Sequence, residues 1–310
     1  MGTRPELKRP EPKKYARIVT HTDFDGVVSA LIVRELFDID EVVFAEPWML
    51  QHGRFDVRRG DVILDLPYGE GCALWFDHHA TSEPFKGKGH FSLTKSCARL
   101  VYDTYAGEHE SVRKFQPLVD AADKIDSASF TKEDLERPDV YGQLAIAIRG
   151  DDRRKDDEFR IFLLNMLAFQ TAEQAVTQPI IRKRVEEKLR EHQEWLREVH
   201  EHVQLRGTVI LVDRTLAPGL GRGQPFWLYA LYPGHAVYLS VEQLRHEPDK
   251  VKISCGENIF ERLNTVDIGA LMQRYGGGGH KVAGGCSVPL SEKEKVVSEI
   301  IESVNAAHPK

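Results

Sequence analysis

Aspartate and histidine recur at three places where an apolar run ends. His21, Asp23 and Asp25 stand in HTDFDG after RIVT, Asp65 closes VILD, and Asp77, His78 and His79 close ALWFDHH. One aspartate at such a place is ordinarily a helix cap or a turn residue. Three ends that each finish in acid or imidazole weaken that reading. Alternate positions on extended chain face the same way, so the first set is expected to converge at a strand tip. Packed carboxylates without a counter-charge repel one another and raise their pKa values. A bound divalent metal is the simplest remedy. Carboxylate excess without thiolate favours Mn²⁺ or Mg²⁺. Ligands this numerous suggest two ions sharing a carboxylate, which suits phosphate ester hydrolysis.

Two further segments carry candidate chemistry. LVDAADKIDSA places Asp120, Asp123 and Asp126 near one helical face. A solvated face explains Asp120, and one of Asp123 and Asp126 is expected to complete the metal shell. The run YGGGGHKVAGG leaves the backbone N–H groups of Gly276, Gly277, Gly278 and Gly279 uncovered, with His280 beside them. Such a run lets an anion approach the main chain. It lacks the Walker spacing and does not follow a strand as a dinucleotide fingerprint would. On composition alone, a flexible loop and a phosphate cradle are equal readings.

These residues need a scaffold that brings strand ends together. RIVT (17–20), EVVFA (41–45), DVILDL (61–66) and ALWFDHH (73–79) read as strands, alternating with helical patterns in VVSALIVRELFD and at about 93–105. That alternation argues for an α/β parallel sheet, whose ligands lie outside the carboxyl ends of the strands. Residues 110–204 are helical in pattern. Within them, 179–204 are highly charged with a narrow apolar stripe at Val185, Leu189, Trp195 and Val199, and read as an exposed connecting helix. Strand signals resume at 208–213, 236–241 and 251–255, followed by helices at 268–275 and from Ser291, a good N-cap with Glu294 at capping-box spacing. The expected domains are 1–178, the connector 179–204, and 205–310.

The chain has 310 residues, 41% hydrophobic and 29% charged, with 24 Gly, 15 Pro and a net charge of −6. A largely disordered or collagen-like chain and a strongly basic nucleic-acid coat are excluded. Residues 1–14 read as a loose Pro-, Lys- and Arg-rich arm, without the apolar stretch of a signal peptide. No apolar run approaches the ~18 residues of a membrane span. Cys72, Cys97, Cys255 and Cys286 form no CxxC pair and suit free thiols in a reducing cytoplasmic setting.

HTDFDG, VILDL, FDHHA and a late YGGGGHKVAGG, in that order over roughly residues 16–290, resemble the DHH phosphoesterase superfamily with its DHH-associated C-terminal domain. RecJ-type exonucleases, nanoRNA and cyclic-dinucleotide phosphodiesterases and exopolyphosphatase-like proteins share that pattern. The resemblance implies two Mn²⁺ ions, with Mg²⁺ an alternative. Asp23 would bind the first ion and Asp25 the second, with Asp65 bridging. His78 would hold the second ion. His79 would face the scissile phosphate, and Asp77 would orient the histidines. His21 would be a ligand or a neighbour, being two residues before Asp23 where many members have four. Asp123 best matches the fourth-motif aspartate, with Asp126 the fallback. Gly276–Gly279 and His280 would bind the substrate's phosphate or terminal nucleotide across a cleft.

The resemblance thus implies a metal-dependent phosphodiesterase cutting short oligonucleotides or linear dinucleotides to mononucleotides. Cyclic dinucleotides, a phosphate chain and a nucleic-acid-binding module without turnover are the rivals. In nanoRNA-cleaving relatives an Arg-Ser pair follows the strand before the glycine motif. Here VKISCGEN lacks that arginine. Arg262 and Arg274 lie nearby in sequence. Weak discrimination among bases is the expectation.

Overall fold

The computed structural model describes residues 15–37, 39–82, 87–150, 153–221, 223–244 and 247–308. The Pro- and Lys-rich arm over residues 1–14 lies outside them. Two sheets organise the described residues. The first contains β1 (Arg17–His21), β2 (Glu41–Ala45), β3 (Asp61–Leu64), β4 (Leu74–Asp77) and β5 (His90–Phe91), in the order β2-β1-β3-β4-β5. Every pairing is parallel, so the strand ends carrying His21, Asp65 and Asp77 share one edge. The central strands read as unbroken apolar runs because both faces are covered. Ile18, Val62, Leu64 and Phe76 enter the main core, while the alternate residues Val19, Ile63 and Trp75 enter a smaller one.

The main core is made with helices α1 (Phe24–Phe37), α3 (Cys97–Tyr105), α4 (Gln116–Asp126), α6 (Val140–Ile148) and α7 (Arg153–Phe169). The short α2 (Pro47–Gln51) borders the smaller core through Leu50, and α5 (Lys132–Glu136) and α8 (Ala172–Val176) complete the helical region. At the far end of the sheet Arg17 forms a buried two-point ion pair with Asp61, Nε–Oδ1 2.9 Å and Nη2–Oδ2 2.6 Å. It locks β1 to β3, the two strands that deliver His21 and Asp65.

Helix α9 (Pro179–Glu198) is the connector. Ile181 and Val185 pack into the first core, while Trp195, with Val199 beyond the helix end, packs into a core of the second unit. Its charged surface is the exposed side of a helix anchored at both ends. A side chain at Gly223 would meet the Trp195 ring at 2.0 Å, so the chain passes there only without one.

The second sheet contains β6 (Val203–Arg206), β7 (Val209–Asp213), β8 (Val237–Gln243), β9 (Lys250–Glu257), β10 (Gly278–His280) and β11 (Ala283–Pro289), in the order β10-β11-β9-β8-β7-β6. Only the β7–β8 pairing is parallel. α10 (Phe226–Leu231) packs into the core that holds Trp195, while α11 (Ile268–Gln273) and α12 (Lys293–Ala306) pack into the other. Three local expectations change. The helical pattern expected to run to 204 stops short of it, and residues 203 and 204 already belong to β6, paired with β7. The helix expected at 93–105 starts only at Cys97, after Ser96, whose hydroxyl caps the Arg99 N–H. α12 begins at Lys293 behind a 3₁₀ turn over Leu290–Glu292, without side-chain capping from Ser291.

Candidate metal centre and cleft

The first motif is positioned by a turn, not by extended alternation. β1 ends at His21 and α1 begins at Phe24. Thr20 Oγ1 donates to the Gly26 carbonyl at 2.8 Å, and a side chain at Gly26 would meet the His21 carbonyl at 2.3 Å. Glycine therefore permits the tight strand–helix approach. Asp23 Oδ1 accepts the Gly26 N–H at 2.9 Å, closing the first turn. Asp25, already helical, accepts the Cys97 and Ala98 N–H groups at 2.7 Å each. Its carboxylate sits on the positive end of α3.

Asp65 follows β3 with φ 55°, in the left-handed region rarely taken by a residue other than glycine. Both its carboxylate oxygens are buried without a hydrogen-bond partner. Oδ2 lies 3.4 Å from His21 Nδ1, and Oδ1 lies 3.4 Å from His78 Nε2. His78 contacts the Thr94 carbonyl through Nδ1 at 3.0 Å. That contact assigns the ring proton to Nδ1 and leaves Nε2 as a lone-pair donor. Nε2 faces Asp65, Asp126 at 3.4 Å and Asp25 at 3.7 Å.

Among the described residues, His21, Asp23 and Asp65 bring ligand atoms within 4.8 Å of one another, as do Asp25, His78 and Asp126, and Asp65, His78 and His79. His21 Nδ1, both Asp65 oxygens and His78 Nε2 are buried and unpartnered. His21 Nδ1 is 2.9 Å from Asp23 Oδ2, but out of line for a hydrogen bond. Unsatisfied buried polar atoms are costly. Here all are metal-ligand types facing one space, so the residues fit bound divalent metal.

The charges agree. Burial, with Asp65 and Asp126, holds the Asp25 carboxyl well above the usual range. Burial with Asp65 and Asp23 pushes Asp126 up to about 7. Burial opposes charge on His78, but Asp65, Asp25 and Asp126 raise it to about 10. Without cations the cluster holds protons, and bound cations would displace them.

Asp123 was expected to complete the shell, and the structure corrects this. Asp123 Oδ1 accepts from Ser96 Oγ at 2.6 Å, and Oδ2 accepts from Arg99 Nε at 2.9 Å. Asp126, one turn later on α4, is the aspartate that reaches His78. Asp120 binds Arg99 at the exposed end of the same network.

Asp77 Oδ1 accepts from His79 Nδ1 at 2.7 Å and from the His78 backbone N–H at 2.9 Å, and Oδ2 takes the Ser82 hydroxyl. The second domain supplies His280, whose ring stacks on His79 at 4.8 Å and lies 5.9 Å from His78. Burial and the two facing histidines lower His280 to about 4. Its imidazole is therefore neutral. The glycines before it do not form the expected open cradle. The Gly276 and Gly277 N–H groups donate to the Gln273 and Met272 carbonyls at 3.1 Å each, and Gly278–His280 are a strand paired with β11. A side chain at Gly277 or Gly279 would come within 2.1 or 2.3 Å of a β11 carbonyl. These glycines let β10 press onto its neighbour and carry His280 to the cluster.

Sequence reasoning missed Glu46, which follows β2 as an acid at a fourth strand end. Its Oε2 lies 3.6 Å from His21 Nε2, and Oε1 accepts from Thr22 Oγ1 at 2.7 Å. The strand-end signal was present, but no histidine or second acid accompanied it. Arg262 pairs with Glu257 at 2.7 Å, in its own turn.

No protein-family model matches the chain, and no curated protein sequence does. Solved structures do match. A pGpG-specific phosphodiesterase, PggH, from Vibrio cholerae is 26% identical, over 94% of this chain and 99% of that one, with a TM-score of 0.72. RecJ in complex with Mn²⁺ from Thermus thermophilus is 15% identical, over 96% of this chain and 52% of RecJ, with a TM-score of 0.60. An exopolyphosphatase-related protein from Bacteroides fragilis is 13% identical, over 94% and 93% of the chains, with a TM-score of 0.55. With aspartate and histidine motifs on one parallel-sheet edge and a glycine-histidine strand facing them from a second sheet, the chain has the fold of the DHH phosphoesterase superfamily.

Proposed function

We propose that the chain is a two-metal phosphodiesterase that hydrolyses short oligonucleotides or linear dinucleotides to mononucleotides, with Mn²⁺ as the working ion. The observation that carries this reading is Asp65, a buried carboxylate without a hydrogen-bond partner whose two oxygens face two different ligand sets. The near-full-length likeness to a protein described as a pGpG-specific phosphodiesterase supports a linear dinucleotide as substrate. His21 and Asp23 would hold one ion, Asp25, His78 and Asp126 the other, and Asp65 both. When bound, the ions would lower the pKa of a water nucleophile and neutralise charge on the phosphate oxygens. Asp77 fixes His79 through Nδ1, which leaves Nε2 to hold or deliver a proton at the leaving oxygen. His280 closes the opposite wall as a neutral imidazole that can donate to a phosphate oxygen.

Side-by-side turnover of a linear dinucleotide, a five-mer, a cyclic dinucleotide and polyphosphate, with Mn²⁺ and with chelator, tests the reading. The linear dinucleotide should be the fastest, and chelator should abolish its turnover. Faster release of phosphate from polyphosphate would favour a phosphoanhydride hydrolase, and no turnover of any would favour a binding module. His280→Ala should raise the Michaelis constant by about tenfold on every nucleotide tested, the effect of one hydrogen bond to a charged phosphate, about 1.4 kcal/mol. A base-dependent effect, or none, would remove His280 from phosphate contact.

A further inference from the structure

Thr22 lies between His21 and Asp23, and two residues from elsewhere in the chain hold it. Its carbonyl accepts from Arg160 Nε at 2.7 Å. The Arg160 guanidinium is buried, pairs with Asp157 at 2.7 Å and lies over the Phe44 ring at 5.6 Å. The Thr22 hydroxyl donates to Glu46 Oε1 at 2.7 Å. Phe44 lies in β2 and Glu46 directly follows that strand, so the end of β2 braces the turn that carries both ligand candidates.

Glu46 occupies the N-cap position of α2, where a side chain ordinarily accepts a helix N–H. Its side chain makes no such bond. Only the backbone carbonyl serves the helix, accepting the Met49 N–H at 2.9 Å. Among the described residues no lysine or arginine is in ion-pair contact with Glu46. Lys252, on β9 of the second domain, acts on its charge from farther off. With Oε1 held by Thr22, Oε2 faces His21 Nε2 at 3.6 Å.

A neutral imidazole has one N–H and one lone pair, and the neighbour of one nitrogen decides the role of the other. His21 Nδ1 is buried without a hydrogen-bond partner and faces Asp23 Oδ2 at 2.9 Å and Asp65 Oδ2 at 3.4 Å. Only a lone pair on that nitrogen can bind a cation. The ring proton then belongs on Nε2, and Glu46 is the acceptor on that side. At 3.6 Å the contact is longer than a hydrogen bond, so the carboxylate acts through its charge. His78 is arranged in the reverse sense, with Nδ1 on the Thr94 carbonyl and Nε2 toward the cluster. A carboxylate behind a metal-binding histidine orients the ring and raises its basicity. We propose that Glu46 is a positioning residue of the metal centre: seated by Thr22, its carboxylate keeps the His21 ring proton on Nε2 and leaves Nδ1 free for an ion held with Asp23 and Asp65. This rests on the metal-dependent phosphodiesterase reading, to which it adds a residue outside the ligand set.

Calorimetric titration of Mn²⁺ into metal-free full-length protein tests the role, with urea denaturation of the same metal-free samples beside it. Glu46→Gln keeps the Thr22 contact through its amide oxygen and removes the charge. It should weaken one Mn²⁺ binding step by about tenfold or more, with the urea midpoint unchanged. Glu46→Ala, which also releases Thr22, should weaken that step further. Lys252→Met should not weaken it, because Glu46 acts on His21 and not through a contact between domains. Wild-type Mn²⁺ affinity in Glu46→Gln would overturn the proposal. So would an affinity loss in Glu46→Gln that comes with a lowered urea midpoint, or an equal loss in Lys252→Met. No Mn²⁺ binding by the wild-type protein would overturn both the proposal and the metal centre it serves. A loss confined to the Glu46 variants, with no hydrolysis of a linear dinucleotide by the wild-type protein in Mn²⁺, would leave the positioning role standing and refute the phosphodiesterase reading.

Discussion

In Asp65→Ala protein, hydrolysis of a linear dinucleotide should fall by at least about a thousandfold, roughly 4 kcal/mol of transition-state stabilisation. Among the described residues Asp65 is the one carboxylate facing both ligand sets, so its loss should take a ligand from each ion. The fold should survive. The side chain makes no hydrogen bond, and in the metal-free protein its charge adds to the repulsion on Asp25 and Asp126. Alanine at φ 55° carries a backbone cost that asparagine largely avoids. Asp65→Asn therefore separates the two effects, and should lose turnover to a similar degree without the backbone penalty. Turnover within about tenfold of wild type, in either variant saturated with Mn²⁺, would remove Asp65 from between the ions.

Asp126→Ala and Asp123→Ala should fail in different ways. Loss of Asp126 removes the α4 ligand facing His78, and turnover should drop by about a hundredfold or more, some 2.7 kcal/mol. Loss of Asp123 leaves Ser96 without its acceptor and Arg99 with only Asp120 and Asp103. The expected cost there is about 1–3 kcal/mol of stability in urea denaturation. The Mn²⁺ requirement for turnover should shift in Asp126→Ala and stay in place in Asp123→Ala. The reverse pattern would return Asp123 to the metal shell.

These contrasts also mark what the sequence could carry. Strand ends were legible because a parallel sheet with both faces covered produces short apolar runs, and the residue after each run lies on one edge. His21, Asp65, Asp77 and His78 were found that way. The choice between Asp123 and Asp126 was not legible. Both lie on α4, one turn apart, and what separates them is Arg99, which reaches Asp123 from another helix. The glycine run was legible as a place without side chains, but not for its reason. The neighbour that excludes a Cβ at Gly277 and Gly279 is β11, and the two come together only in the fold. Residues 203 and 204 read as the end of the connecting helix because they continue a polar run, and pairing with β7 decides otherwise.

Hydrolysis of a linear dinucleotide, followed while Mn²⁺ is titrated into metal-free protein and bound ions per chain are counted, tests the central claim most directly. Two ions should bind per chain, and turnover should rise with the second, because the nucleophile and the phosphate need both. Full turnover with a single bound ion, or turnover that persists in chelator, would contradict the two-metal account.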